Sequence, residues 1–257
     1  MRVLILGCGT VGMAVGTRLL AAGHTVTGVR RTPVEDPPFT IHAADAGELA
    51  MHAALGFFDA VLLAANPGVR RGHDNGLARV ARIIARNHRV ARVVYTGTTS
   101  LYGDAGGAAV DEKAAPAATP EAEALRAIET EFLEHPDALV LRATALLGPT
   151  RTFAKERIMA SGGDVTVKGD PERPFSYLHE EDLADLCVRA LGGDFGTGVL
   201  NAAAPEALTV RGYYELLARH AGVAVRLSSD GTQVPSRRID ASRLHRMAPD
   251  IVWRTPA

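Results

Sequence analysis

Apolar positions along this chain alternate between short concentrated runs and longer stretches in which they recur at helical spacing. Val3-Leu4-Ile5-Leu6, Ala60–Ala65, Val93–Tyr95 and Ala138–Leu141 are the runs. A run that is apolar at every position predicts a strand buried on both faces, as in a parallel sheet. The last three runs extend as strands to Phe58–Ala65, Arg92–Thr96 and Ala138–Arg142, and Thr25–Val29 and Thr40–Ala43 read as the second and third strands. Met13–Leu20, Gly47–Leu55, Leu77–His88 and Pro120–His135 carry the helical spacing between them. The segment Val34–Phe39, with Pro37 and Pro38, is a loop. Strand and helix in this rhythm predict an α/β chain, a doubly wound parallel sheet over residues 1–150. Beyond Arg142 the rhythm weakens. Residues 151–257 are expected to form mainly a small substrate-binding lobe, with Phe175–Leu178 returning to the core before the helix Glu180–Leu191. The tail from Ser228 either covers a cleft or packs on the outside.

Between the first strand and the first helix lies Gly7-Cys8-Gly9-Thr10-Val11-Gly12. Three glycines at G-x-G-x-x-G spacing in a strand–turn–helix context predict a dinucleotide cradle: a tight turn, close backbone approach to a pyrophosphate, and helix-on-strand packing. The free N–H groups and dipole of the helix N-terminus favour the phosphates. Gly7, Gly9, Thr10, Val11 and Gly12 are therefore expected at the cofactor. The second strand ends in Arg30-Arg31-Thr32, where an acidic residue would hold the 2′-hydroxyl of NAD and an arginine suits the 2′-phosphate of NADP. NADP(H) is expected over NAD(H). Asp45 is placed toward adenine, and Ala64, Ala65, Asn66 and Thr96 are placed at strand ends beside the cofactor.

The run into Gly97-Thr98-Thr99-Ser100-Leu101-Tyr102-Gly103, together with Val110-Asp111-Glu112, Leu141-Arg142, Leu147-Gly148-Pro149, His179-Glu180-Glu181-Asp182-Leu183-Ala184 and Val199-Leu200-Asn201, resembles the extended short-chain dehydrogenases/reductases over nearly the whole chain. The resemblance implies a Rossmann fold, nicotinamide chemistry and a catalytic hydroxyl at Thr98. It also implies Tyr-x-x-x-Lys on the helix after the Ser/Thr strand, and here the chain departs. With Glu129 taken as the family's glutamate four residues past the lysine, the tyrosine position is Glu121 and the lysine position Leu125, and no Tyr or Lys occurs between Ala114 and Ala154. The chain resembles atypical members that have lost or moved this pair. Thr98, Tyr102 and Glu121 are the candidate catalytic residues. Thr98, Thr99, Tyr102, Arg173 and Tyr177 are the candidates for substrate. The expected activity is an NADP-dependent oxidoreductase of a small carbonyl, imine or hydroxyl compound. The alternatives are an epimerase or dehydratase that recycles its nicotinamide, and an NADP(H)-binding sensor without turnover.

Composition changes this picture little. A length of 257 residues suffices for one large domain with an appendage, and a net charge of -1 gives no electrostatic reason to expect nucleic acid or an anionic membrane. Cys8 and Cys187 are far apart and lack metal-ligand spacing, so neither a disulfide framework nor a metal site is expected. A core strand beginning at Arg2 leaves no room for a cleavable signal, and a cytoplasmic monomer or homodimer is the expectation.

Overall fold

Arg2–Leu6 forms the strand β1, and its side chains part alternately into two cores: Val3 and Ile5 to one face, Leu4 and Leu6 to the other. The computed structural model describes residues 1–46, 57–69 and 76–255; the helix expected over Gly47–Leu55 lies outside them. The first half continues with α1 (Thr10–Ala21), β2 (Thr25–Arg30), β3 (Thr40–Ala43), β4 (Ala60–Leu63), α2 (Leu77–Ala85) and β5 (Arg92–Thr98). A 3-10 turn at Thr99–Leu101 leads to β6 (Ala109–Val110), α3 (Pro120–Phe132), β7 (Ala138–Ala143) and β8 (Ala145–Leu147). Then come α4 (Phe153–Ala160), β9 (Asp164–Val167), β10 (Pro174–Phe175), β11 (Tyr177–His179), α5 (Glu180–Gly192) and β12 (Gly198–Ala202). The last elements are β13 (Leu208–Thr209), α6 (Val210–His220), β14 (Arg226–Ser229), β15 (Arg238–Ile239) and α7 (Ser242–Met247).

The central sheet has the order β12-β7-β5-β4-β1-β2-β3, and every pairing in it is parallel. β4 is apolar throughout and β1, β5 and β7 carry apolar runs, because both faces are covered, one by α1 and α5 and the other by α2 and α3. The chain runs outward from β1 to β3 and then returns to β4 on β1's other side. That reversal opens a crevice at the carboxyl ends of β1 and β4, the usual ligand position in such sheets.

Local signals fix the helix starts. Thr119 caps α3, its Oγ1 accepting from the Ala122 amide at 3.2 Å with Pro120 at the first position. His179 caps α5, its Nδ1 accepting from the Glu181 amide at 3.2 Å. A separate apolar cluster, including Leu147, Ile158, Val165, Tyr177, Tyr213 and Tyr214, builds the lobe. β12 and α5 pack into the main sheet's core together with Leu178, whereas Tyr177 and Phe175 pack in the lobe's cluster. The tail crosses between the two parts. β15 pairs with β6, the Ile239 amide donates to Ser176 Oγ at 2.9 Å, and the Ser236 amide donates to Asp104 Oδ1 at 2.8 Å.

Candidate cofactor and substrate cleft

A cleft of about 1140 Å³ follows the carboxyl edge of the sheet. Its floor begins at the glycine turn, where the three glycines serve three separate needs. Gly7 has φ +90° and abuts β4: a Cβ there would lie 2.3 Å from the Ala65 nitrogen. Gly12 packs the helix on the strand, since a Cβ would meet the Gly7 oxygen at 2.9 Å. At Gly9 a Cβ would meet no protein atom within 4 Å, so the space beside it belongs to the cleft. No side chain caps the N-terminus of α1, and no acidic residue stands in its first turn. A cradle of this form, with its donors open and its second glycine facing empty space, fits a pyrophosphate.

All of the expected cofactor residues line this cleft: Gly7, Gly9, Thr10, Val11, Gly12, Arg30, Arg31, Asp45, Ala64, Ala65, Asn66 and Thr96. Arg30 ends β2 half-buried, and Arg31 follows it exposed. Thr98 and Thr99 lie at the far end of the edge. Thr98 Oγ1 accepts from the Ser100 amide and donates to Ser100 Oγ, both at 3.1 Å, giving two linked hydroxyls on the cleft wall. Leu125, the residue at the lysine position, also faces the cleft.

Three expected site residues lie elsewhere. Tyr102 does not line the cleft; it is 2% exposed, its hydroxyl donates to Asn201 Oδ1 at 2.8 Å and accepts from Arg142 Nη1 at 2.7 Å. The 3-10 turn carries its ring inward to the buried pair of Arg142 and Glu129, whose closest contact is 2.7 Å. Burial raises the Tyr102 phenol above its ordinary range, with Arg142 opposing. Glu121 points to solvent from the first turn of α3, where the helix dipole favours a carboxylate. Tyr177 is buried in the lobe's apolar cluster, which holds its phenol up. Among the substrate candidates, Thr98, Thr99 and Arg173 do face the cleft.

Arg151 and Arg237 line the cleft as well, and neither was among the candidates read from the sequence. Arg237 is carried in by the tail and donates to the carbonyls of Thr99 at 3.0 Å and Gly103 at 3.3 Å, which ties the tail to the Thr98 turn. Arg151 stands 3.4 Å from the buried carboxylate of Glu180. Arg173 is different. Its Nε is buried with no hydrogen-bond partner among the described residues, and burial lowers its pKa. It sits where the cleft meets a second cavity of about 550 Å³ in the lobe, with Leu146, Arg151 and Phe175 at the same junction. Arg157, Lys168 and the stacked rings of Phe175 and Tyr213, 4.8 Å apart, line that cavity. Among the described residues no group of His, Cys, Asp and Glu is placed to hold a metal, and no helix is long and apolar enough to cross a membrane.

A parallel sheet reversing at β1 and β4, a three-glycine cradle and a Thr-Thr-Ser strand end define a dinucleotide-binding Rossmann protein of the extended short-chain dehydrogenase/reductase type. The chain belongs to the NAD dependent epimerase/dehydratase family, whose model matches residues 3–203. It is 27% identical over 237 residues to Protein YeeZ of Escherichia coli strain K12, covering 86% of this chain and 84% of that protein. Among solved structures it resembles MoeE5 in complex with UDP-glucose and NAD, with TM-score 0.81, 22% identity and coverage of 99% of this chain and 94% of that one. It also resembles the UDP-glucuronic acid 4-epimerase of Bacillus cereus in complex with UDP-glucuronic acid and NAD, with TM-score 0.81, 20% identity and coverage of 99% and 95%.

Proposed function

We propose that the protein is an NADP(H)-dependent oxidoreductase whose small carbonyl, imine or hydroxyl substrate carries an anionic group. The observation that carries the cofactor half of this reading is Arg30 at the end of β2, lining the cleft where an acidic residue would select NAD. Gly7, Gly9, Gly12 and the open N-terminus of α1 would hold the pyrophosphate, with Arg30 and Arg31 at the 2′-phosphate. The nicotinamide, when bound, supplies or takes up hydride. The protein's own part is orientation and proton handling. Thr98 orients a substrate oxygen, and the Thr98–Ser100 pair can pass a proton along the wall. A threonine hydroxyl alone is a poor acid, so water must complete the relay in place of the missing tyrosine.

The anionic substrate is supported by Arg173, whose buried, unmatched Nε needs an acceptor at the cleft–lobe junction. Arg157 and Lys168 beyond it have the same sign. The phosphorylated sugars in the complexes of the two structural neighbours fit this charge. They also favour a second reading, epimerisation with a recycled nicotinamide.

One set of measurements separates the readings. A ligand that binds only the folded state at a hundred times its dissociation constant stabilises it by about 2.7 kcal/mol, visible as a raised Tm. NADPH should reach that point at lower concentration than NADH, and Arg30→Ala should close the gap. With nucleotide sugars and sugar phosphates as the substrate pool, net change in nicotinamide absorbance marks oxidoreduction. Product without absorbance change marks epimerisation, and binding without product marks a sensor. Indifference to both nucleotides would end the reading.

A further inference from the structure

Tyr95 is a buried phenol whose position neither the packing nor the proposed chemistry explains. Its ring is 1% exposed and tilts against Phe132 at 5.7 Å between centroids, in the core on the α2 and α3 side of the sheet. A phenylalanine would serve that packing equally. Tyr95 nevertheless lines the cleft, as do Leu77, Thr96 and Leu125. Its hydroxyl makes no hydrogen bond to a described residue, and it is not one of the sealed, unmatched polar atoms, Arg92 Nη2 and Arg173 Nε, so it is open toward the cleft that Tyr95 lines. The ring's contact on α3 is Phe132, which offers no acceptor.

Sheet order places the missing acceptor. Tyr95 is in register with Leu63, one residue short of the edge formed by Ala64–Asn66, just past β4, and Thr96–Thr98 on β5. In a bound dinucleotide Arg30 would hold the adenosine end and Gly9 the pyrophosphate, with Thr98 at the reacting ring. The β4–β5 edge, between Gly9 and Thr98, would then meet the second ribose.

We infer that the Tyr95 hydroxyl donates a hydrogen bond to the ribose on the nicotinamide side of the bound dinucleotide and orients it in the cleft. This inference rests on the dinucleotide reading, though not on the choice between NADP and NAD. Burial, with the Glu129 carboxylate nearby, raises the phenol well above its ordinary range, so it stays protonated and acts as a donor at any working pH.

Tyr95→Phe tests it by calorimetric titration of the full-length protein with NADPH, NADH, ADP-ribose and ADP. A single neutral hydrogen bond corresponds to roughly a three- to tenfold change in affinity. The variant should bind NADPH, NADH and ADP-ribose three- to tenfold more weakly, by the same factor for each. ADP, which lacks the second ribose, should bind as to wild type. The Tm of the nucleotide-free protein should not fall, because no internal bond is lost. Arg30→Ala run beside it should weaken NADPH alone. Unchanged NADPH affinity in Tyr95→Phe, or an equal loss for ADP, would overturn the contact while the cofactor reading stands. A wild-type protein that binds none of the four would overturn both.

Discussion

Arg142 Nη1 donates to the Tyr102 hydroxyl at 2.7 Å, and that hydroxyl in turn donates a hydrogen bond to Asn201 Oδ1 at 2.8 Å. Both capacities of the phenol are thus spent inside the protein, under a guanidinium that also grips Glu129 through three contacts of 2.7 to 3.1 Å. The expected effect of Tyr102→Phe is structural. It strips a donor from buried Asn201 and an acceptor from buried Arg142, and should lower stability by about 1–3 kcal/mol. Thr98→Ala should leave stability nearly unchanged while lowering kcat at least tenfold once a substrate is in hand. Denaturant unfolding of both variants checks the contrast, and a Tyr102→Phe protein of wild-type stability would return this residue to the catalytic candidates.

Gly7 and Gly9 should respond in opposite ways to the same added methyl. Gly7→Ala forces a side chain at φ +90° into the backbone of Ala65 and should lower the Tm of the nucleotide-free protein markedly. At Gly9 the backbone is extended, with φ -81°, and the Cβ enters open space. Gly9→Ala should therefore fold with near wild-type Tm yet bind NADPH at least tenfold more weakly, because the methyl occupies the approach to the pyrophosphate. Titration of folded Gly9→Ala with NADPH is the deciding measurement.

The readings that held are those whose cause is local. A glycine turn is set by its own backbone, and the apolar runs had to be strands buried on both faces, so β1, α1 and the course of the sheet were visible in the sequence. Arg30's place on the cleft, as distinct from its proposed role, could be read because it is counted directly from the end of β2. Tyr102, Glu121 and Tyr177 were harder for a common reason: which way a side chain faces depends on partners far along the chain. Tyr102 is turned inward by Arg142 and Asn201, 40 and 99 residues away. Tyr95 was hidden by the same property that revealed its strand, since within Val93-Val94-Tyr95 the alternation that would tell one face from the other is absent. Arg151 and Arg237 reach the cleft only through tertiary placement, Arg237 by way of the pairing of β15 with β6.

The turn between α3 and β7 carries a built-in pH dependence of stability. His135 is 3% exposed, and its two ring nitrogens have fixed, opposite roles. Nδ1 accepts from the Asp137 amide at 3.1 Å, so it must lack a proton; Nε2 lies 3.0 Å from the Val90 carbonyl oxygen, so it must carry one. The folded protein therefore holds the neutral imidazole, and burial lowers the His135 pKa below its ordinary value of 6.5. The unfolded chain takes up a proton near pH 6.5, whereas the folded state resists it. Stability from this residue is thus fully present above about pH 6.5 and is lost as pH falls toward the lowered folded value, with a slope of at most about 1.4 kcal/mol per pH unit for one proton. His135→Gln can still donate to Val90 but cannot titrate. It should be less stable than wild type at neutral pH, and the gap should narrow as pH falls below 6.5. Denaturant midpoints of the two proteins measured from pH 7.5 down to about pH 5 give the comparison, in which the other histidines cancel. Parallel curves across that range would show that His135 is protonated alike in the folded and unfolded chain, contrary to the bonding at its two nitrogens.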